Sequence, residues 1–286
     1  MNVRTMTVDD IPFAMRLKTQ NGWNQLEADW RRQLALEPTG SFVAELDGRA
    51  VGTACACVFG DIAWVNFVLV DKAQRGQGTG SALMRHVIDW LDARNVRTIR
   101  LDATPLGQPV YAKLGFVGDF TLSRFEGLLP SPSERLAGGE GDLASNISLL
   151  LPSDLAAMFV LDEAITKTRR EKLLCHIHEA NPDLSHKYTR AGRFEGYCLC
   201  RPGSNAWQLG PLQGMPDAAL YLLADAAQRL AGQRVYLDVP LENVPACVSA
   251  QALGLTAQRT FLRMTRGRRI AEDVRLFWTG SGPEKG

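Results

Sequence analysis

One short stretch of this chain combines residue types and spacing suited to holding an anion. Arg75-Gly76-Gln77-Gly78-Thr79-Gly80 follows a largely apolar run at 64–70 and precedes an amphipathic helix pattern from about Ser81. Glycines leave backbone N–H groups open to a ligand, and the first turn of a helix adds unpaired N–H groups and the positive end of the dipole. A strand, such a loop and a helix in that order make a pyrophosphate cradle, to which Arg75 adds a charge-assisted contact. A glycine-rich turn without a ligand is the competing reading. Two common phosphate binders are excluded. No Gly-Lys-Ser/Thr closes a P-loop, and counting from Gly76 the third glycine of a dinucleotide fingerprint would fall on Ser81.

The surrounding pattern must place that loop. Asp9-Asp10-Ile11-Pro12 reads as a helix start, with proline in the first turn where no N–H is needed, and a second helix is expected over 25–36 before Pro38 and Gly40. Strands at 42–46 and 51–59 flank the hairpin signal Asp47-Gly48, and a third follows at 63–70. Behind the loop, Leu83, Val87 and Leu91 recur every fourth position with Met84 and Ile88 beside them, the face of a buried helix. A strand at 98–103, a short helix at 110–114 closed by Gly115, and a strand at 120–125 complete the first half. Pro130-Ser131-Pro132-Ser133 and Gly138-Gly139-Glu140-Gly141 then read as a linker.

The second half echoes the first. Gly48-Arg49-Ala50-Val51-Gly52 recurs as Gly192-Arg193-Phe194-Glu195-Gly196, and Cys55, Cys57 and Trp64 recur at one constant offset as Cys198, Cys200 and Trp207. Further on, Leu101-Asp102 matches Leu237-Asp238, and Leu114-Gly115 matches Leu253-Gly254. Ordered matches at similar spacing indicate a tandem duplication. The segment after Trp207 lacks the clustered glycines and carries Pro216, which has no N–H, so residues 75–80 are expected to mark the single anion site.

Composition bounds the rest. The 286 residues are 45% apolar and 22% charged, enough for two ordinary globular domains. With 32 basic against 31 acidic residues there is no basic excess to attract nucleic acid, and the densest basic patch, 263–269, is expected to be a solvated strand end. Residues 1–5 are not apolar and no run approaches the roughly 20 residues that cross a bilayer, so a cytoplasmic chain with no membrane partner is expected. The Cys-x-Cys pairs suit buried, reduced thiols better than zinc knuckles, and no metal is expected.

Arg75-x-x-Gly78-x-Gly80 resembles the acyl-CoA loop of the GNAT superfamily of N-acetyltransferases, Gln/Arg-x-x-Gly-x-Gly/Ala after an apolar strand. Tyr111-Ala112-Lys113-Leu114-Gly115-Phe116 is similar to that family's later Tyr-x-x-x-Gly-Phe segment. The resemblance covers about residues 3–127, and the second half is similar to the degenerate C-terminal domain of tandem members. It implies an α/β (mixed α+β) fold of two tandem GNAT-like domains, each a twisted, mostly antiparallel sheet flanked by helices. The expected divisions are an N-terminal catalytic domain at 1–128, a linker at 129–144, a C-terminal domain without the acyl-CoA loop at 145–270, and a tail at 271–286.

The resemblance further implies acetyl-CoA as co-substrate and a primary amine, on a small molecule or a peptide, as acceptor. The pyrophosphate would lie on Arg75, Gly76, Gln77, Gly78, Thr79, Gly80 and Ser81. The pantetheine arm would pair with Val68, Leu69 and Val70 like an added strand, a reading compatible with their being ordinary core strand. A backbone N–H near Leu69 would face the developing oxyanion, and Tyr111 would be the general acid, unless it only packs at a helix start. Many members carry an Asn several residues before the tyrosine; Asp102-Ala103-Thr104-Pro105-Leu106-Gly107 has none, which leaves Thr104 or backbone groups for its role, or leaves the role absent. No general base stands out. Trp23 and Asn66 are candidates to wall the acceptor pocket, with turn chemistry or packing as the alternative. The second domain would complete that pocket or mediate a homodimer. The rival function is a non-catalytic acyl-CoA sensor or interaction module.

Overall fold

The computed structural model describes residues 1–131 and 146–285. From residue 132 onward the expected linker lies outside the described residues. The first half runs β1 (Asn2–Thr5), α1 (Ile11–Gln20), α2 (Glu27–Leu36), β2 (Ser41–Leu46), β3 (Arg49–Phe59), β4 (Ile62–Val70), α3 (Thr79–Asp92), β5 (Thr98–Ala103), α4 (Gln108–Ala112) and β6 (Val117–Leu128). The second repeats the order as β7 (Ile147–Leu149), α5 (Leu155–Thr166), α6 (Glu171–Ala180), β8 (His186–Arg190), β9 (Arg193–Arg201), β10 (Trp207–Gly214), α7 (Pro216–Arg229), β11 (Arg234–Pro240), α8 (Val244–Ala252) and β12 (Thr256–Gly267), and adds β13 (Phe277–Thr279).

The elements form for local reasons. Asp47 and Gly48 both take positive φ, 50° and 72°, the geometry of a tight hairpin turn between β2 and β3. The apolar stripe of α3 (Leu83, Met84, Val87, Ile88, Leu91) is buried against Phe42, Ala54, Ala56 and Val65 of the sheet, each large side chain contributing about 1.5–3 kcal/mol. The helix comes so close that a Cβ on Gly52 would lie 2.9 Å from the Leu69 carbonyl and 3.0 Å from Leu83 Cδ1. Gly196 does the same under α7, where a Cβ would meet Leu222 Cδ1 at 3.1 Å. Small residues at these two positions are what lets each helix seat, and they explain why the glycines recur in both copies.

Among the described residues the thirteen strands form one twisted, mostly antiparallel sheet in the order β1-β2-β3-β4-β5-β12-β6-β11-β10-β9-β8-β7, with β13 paired to β10. The order reads the same from both ends once β6 and β12 are recognised as equivalents. Those two strands are exchanged: β12 pairs with β5 of the first copy, while β6 pairs with β11 of the second. The divisions at 1–128 and 145–270 therefore follow the chain, whereas in space each half is completed by the other's last strand. Equivalent ion pairs seal the exchange. Arg263 donates to Asp102 at 2.9 and 3.0 Å, and Arg124 donates to Asp238 at 2.8 Å twice.

Two expectations need correction here. The basic stretch at 263–269 is not wholly a solvated strand end: Arg263 is buried in mid-sheet, paired with Asp102 and Glu272, and only its C-terminal arginines reach solvent. The segment 271–286 is not an appendage either. Phe277 and Trp278 are buried, Glu272 is bonded by Arg100 and Arg263, and Glu284 and Lys285 are buried beside Asp29 and Arg201.

Candidate active site

β4 and β5 run parallel only from Ile62–Trp64 against Thr98–Arg100, then diverge. The divergence is built into β4. Phe67 sits at φ 49°, which for a bulky residue costs about 1–2 kcal/mol, beside a break in register between Asn66 and Leu69. Stacking of its ring on Trp30, centroids 4.1 Å apart, and a 2.8 Å bond from Thr53 Oγ1 to its carbonyl hold it there. Such a bulge bends the strand and re-aims its side chains.

A groove of about 480 Å³ opens in the gap. Val68, Leu69 and Val70 form one wall; Thr104, Leu106, Gly107, Val110 and Tyr111 form the other; Gln74, Arg75, Gly76, Gly78, Thr79, Gly80 and Ser81 close one end. Gly76 and Gly78 hold left-handed φ of 75° and 82°, where a side chain is strained. Gly78 is the N-cap of α3 and no side chain caps it, so the first turn presents its N–H groups uncapped beside the groove. Arg75 is exposed, and its guanidinium bonds to the Val70 carbonyl and the Asn21 side chain, strapping the loop to the end of α1. Gln77, expected among the phosphate contacts, is exposed and does not line the groove.

A second, smaller cavity of about 70 Å³ lies deeper in the same gap, and Trp23, Val68, Thr104 and Tyr111 line both. Asn66, Leu101, Asp102, Arg124, Arg259, Phe261 and Glu284 are among its other walls. Trp23 is held from the second half: Asn24 accepts bonds from the Asn205 and Ala206 amides at 2.9 and 3.0 Å and donates to the Ala206 carbonyl at 2.9 Å. Asn66 donates to Gln33 at 3.0 Å and leaves its buried Oδ1 without a protein partner. Burial pushes the Tyr111 phenol up to about 12, so it carries its proton at neutral pH. A Cβ on Gly107 would lie 2.7 Å from the Tyr111 ring, which makes that glycine the seat of the phenol. Burial raises the Asp102 carboxyl despite its two bonds from Arg263. Burial also raises Glu284, but Lys285 and Arg201 outweigh it and bring that carboxyl down to about 2.

Family models of acetyltransferases match both halves, the acetyltransferase (GNAT) family over residues 11–116 and an acetyltransferase (GNAT) domain over 158–277. The chain belongs to the GNAT family. A holothin acyltransferase of Pseudoalteromonas sp. (strain SANK 73390) is 24% identical over 250 residues, 86% of this chain and 81% of that protein. A putative acetyltransferase from Pyrococcus horikoshii shares the fold with a TM-score of 0.82 at 23% identity, covering 100% of this chain and 95% of that one. A GCN5-related N-acetyltransferase from Sphaerobacter thermophilus does so with a TM-score of 0.69 at 17% identity, covering 95% and 97%. The second GNAT copy carries no counterpart of the groove-closing loop: β10 ends at Gly214 and α7 begins at Pro216.

Sequence reasoning did not reach several walls of the small cavity. Arg124, Arg259 and Phe261 come from the exchanged strands, and Glu284 from the expected tail. The Asp102–Asp238 match in the repeat was the available signal, because both aspartates receive arginines from across the exchange. None of the four histidines lines either cavity, and no group of three metal-ligating side chains occurs among the described residues.

Proposed function

We propose that this GNAT protein transfers acetyl from acetyl-CoA to a primary amine by direct attack. The observation that carries the reading is the junction of two cavities, one a groove ending on an uncapped helix start, the other a small polar chamber, with Trp23, Val68, Thr104 and Tyr111 as common walls. Acetyl-CoA supplies an acyl carbon already activated as a thioester. The groove suits it: the loop and the first turn of α3 offer N–H groups to a pyrophosphate, and Val68, Leu69 and Val70 offer backbone to an amide-rich arm. In the small chamber the amine nitrogen forms the new bond to the acyl carbon, the carbon–sulfur bond breaks, and the Tyr111 phenol gives its proton to the departing thiolate. A backbone N–H near Leu69 is the donor for charge building on the acyl oxygen. The proton lost by the nitrogen passes to water, since no histidine reaches the chamber and its carboxylates, Asp102 and Glu284, are engaged in ion pairs.

Acetyl-CoA incubated with a panel of amines, with free thiol followed, tests this. Amine-dependent thiol release is expected. Tight CoA binding with no release under any amine would support the rival reading of a non-catalytic acyl-CoA sensor. Competition with longer acyl-CoAs tests the choice of acetyl.

A further inference from the structure

The small chamber contains one cation that the fold leaves unmatched. Across three adjacent strands the register aligns Asp238 of β11, Arg124 of β6 and Arg259 of β12. Arg124 spends its charge on Asp238, to which Gln208 also donates at 3.2 Å. Arg259 faces Arg124 directly, a like-charge cross-strand pair that is destabilising by itself. Among the described residues Arg259 has no ion pair; its Nε is buried without a partner, and its guanidinium lies 5.5 Å from the centre of the Phe261 ring. A register break between Ala257 and Arg259 re-aims the strand at this point. Burial first, and then Arg124, lower the Arg259 pKa, and the Asp238 and Glu126 carboxylates, neither of which bonds to it, offset only part of this.

The internal repeat shows that the fold does not require a cation here. In the equivalent pairing on the other side of the pseudo-dyad, Arg263 is faced by Phe120, whose ring centre lies 5.1 Å from its guanidinium. Arg259 therefore departs from the duplication at the one position where the departure puts a free positive charge on the chamber wall. The other charges there are matched, Asp102 by Arg263 and Glu284 by Arg201 and Lys285.

We infer that Arg259 binds a carboxylate of the acceptor, so that the acceptor is an amine carrying a carboxylate, amino-acid-like, rather than a polyamine or a neutral amino sugar. This rests on reading the small chamber as the acceptor site. The anion belongs to the acceptor because Arg259 lines the chamber and not the groove. One unmatched positive charge calls for one negative charge, which favours a carboxylate over a phosphomonoester.

The test is calorimetric titration of CoA-saturated protein with matched probes: L-phenylalanine against phenethylamine, β-alanine against propylamine, and O-phosphoethanolamine. Each acid is expected to bind about 10–100-fold more tightly than its decarboxylated partner, the range of a charge-assisted contact. Arg259→Gln should reduce that preference to within about 3-fold with CoA affinity retained, and Arg259→Lys should keep part of it. Equal binding of acid and amine, a preference that survives Arg259→Gln, or tightest binding of O-phosphoethanolamine would each overturn the inference. Thiol release distinguishes it from the transfer reading. Release with equal efficiency from both members of a pair overturns the carboxylate site and leaves transfer standing; acid-selective binding without release does the reverse.

Discussion

The two copies contain the same gap and treat it oppositely. In each, the fourth strand runs parallel to the fifth for a few residues and then leaves it, β4 from β5 and β10 from β11. Between β4 and β5 the gap is an open groove. Between β10 and β11 the chain's own β13 has entered: Thr279 and Phe277 pair with Leu212 and Gln213, and the Gly280 amide donates to the Asp238 carbonyl at 2.9 Å. By strand register, with Gly52 equivalent to Gly196, Leu212 and Gln213 stand where Val68 and Leu69 stand in the first copy. The filled gap displays an extended backbone segment added beside the strand, the mode of binding proposed for the pantetheine arm in the open one. Divergence of strands creates a demand for backbone partners, and the molecule meets it internally in one copy and leaves it open in the other.

The comparison can be broken most severely at the filled gap. Trp278 is 2% exposed on β13, and Trp278→Ala should cost about 3–5 kcal/mol in denaturant unfolding. A negligible loss would make β13 a passive tail. The open gap should gain instead: CoA at 100 times its Kd should add about 2.7 kcal/mol, seen as a rise in Tm, with one CoA bound per chain. Two bound per chain would mean that the second copy kept a site.

Chemistry should depend on the open gap alone. Tyr111→Phe should lower kcat about 100-fold and leave the KM for acetyl-CoA within about 3-fold, and an unchanged kcat would remove Tyr111 from the reaction. Gly107→Ala should act in the same direction, since its Cβ would displace the Tyr111 ring from 2.7 Å.

The strap beyond β13 should make the protein acid-sensitive. The Glu284 carboxyl lies at about 2 against an ordinary 4.5. A depressed carboxyl stabilises the fold above its unfolded value and loses that contribution as pH falls through the folded one. Between pH 4.5 and about 2, stability should therefore fall by about 3 kcal/mol through this group. Unfolding of Glu284→Gln as a function of pH should show a flatter acid limb, and a parallel limb would assign the sensitivity elsewhere.

The smallest effect is expected at Gly80. Its Cβ would have ordinary contact, 3.7 Å from Val70 Cγ2, so Gly80→Ala should fold with undiminished stability, alanine being the better helix former. It should also keep its affinity for CoA, since alanine is the alternative residue at this position of the acyl-CoA motif, which titration calorimetry would measure. A loss of affinity would mean that the phosphate lies against the Cα of Gly80.

Much of this was legible from residues alone because the signals are local. The glycine loop, the fourfold stripe of α3 and the Asp47-Gly48 turn depend on neighbours within a few positions. The expected strand at 98–103 coincides with β5, but the match of Trp64 with Trp207 is one position out. With Asp102 equivalent to Asp238, Trp64 opposite Arg100 corresponds to Gln208 opposite Tyr236, and the two tryptophans pack in different clusters. Illegible were relations between distant segments. Trp23 was visible as a candidate, but its anchor at Ala206 and the origin of the facing wall in Arg259 and Glu284 depend on pairings more than a hundred positions apart.

The sequence by itself determined the family, the duplication and the end of the groove where an anion would rest, because each is written in short-range spacing. Only the tertiary structure decided that β6 and β12 trade places and that β13 closes the second gap. It likewise decided that Arg259 faces Arg124 with no carboxylate between them. Strand exchange leaves the local pattern of each strand unchanged while changing every neighbour it has, and a site assembled from those neighbours exists only once the sheet has closed.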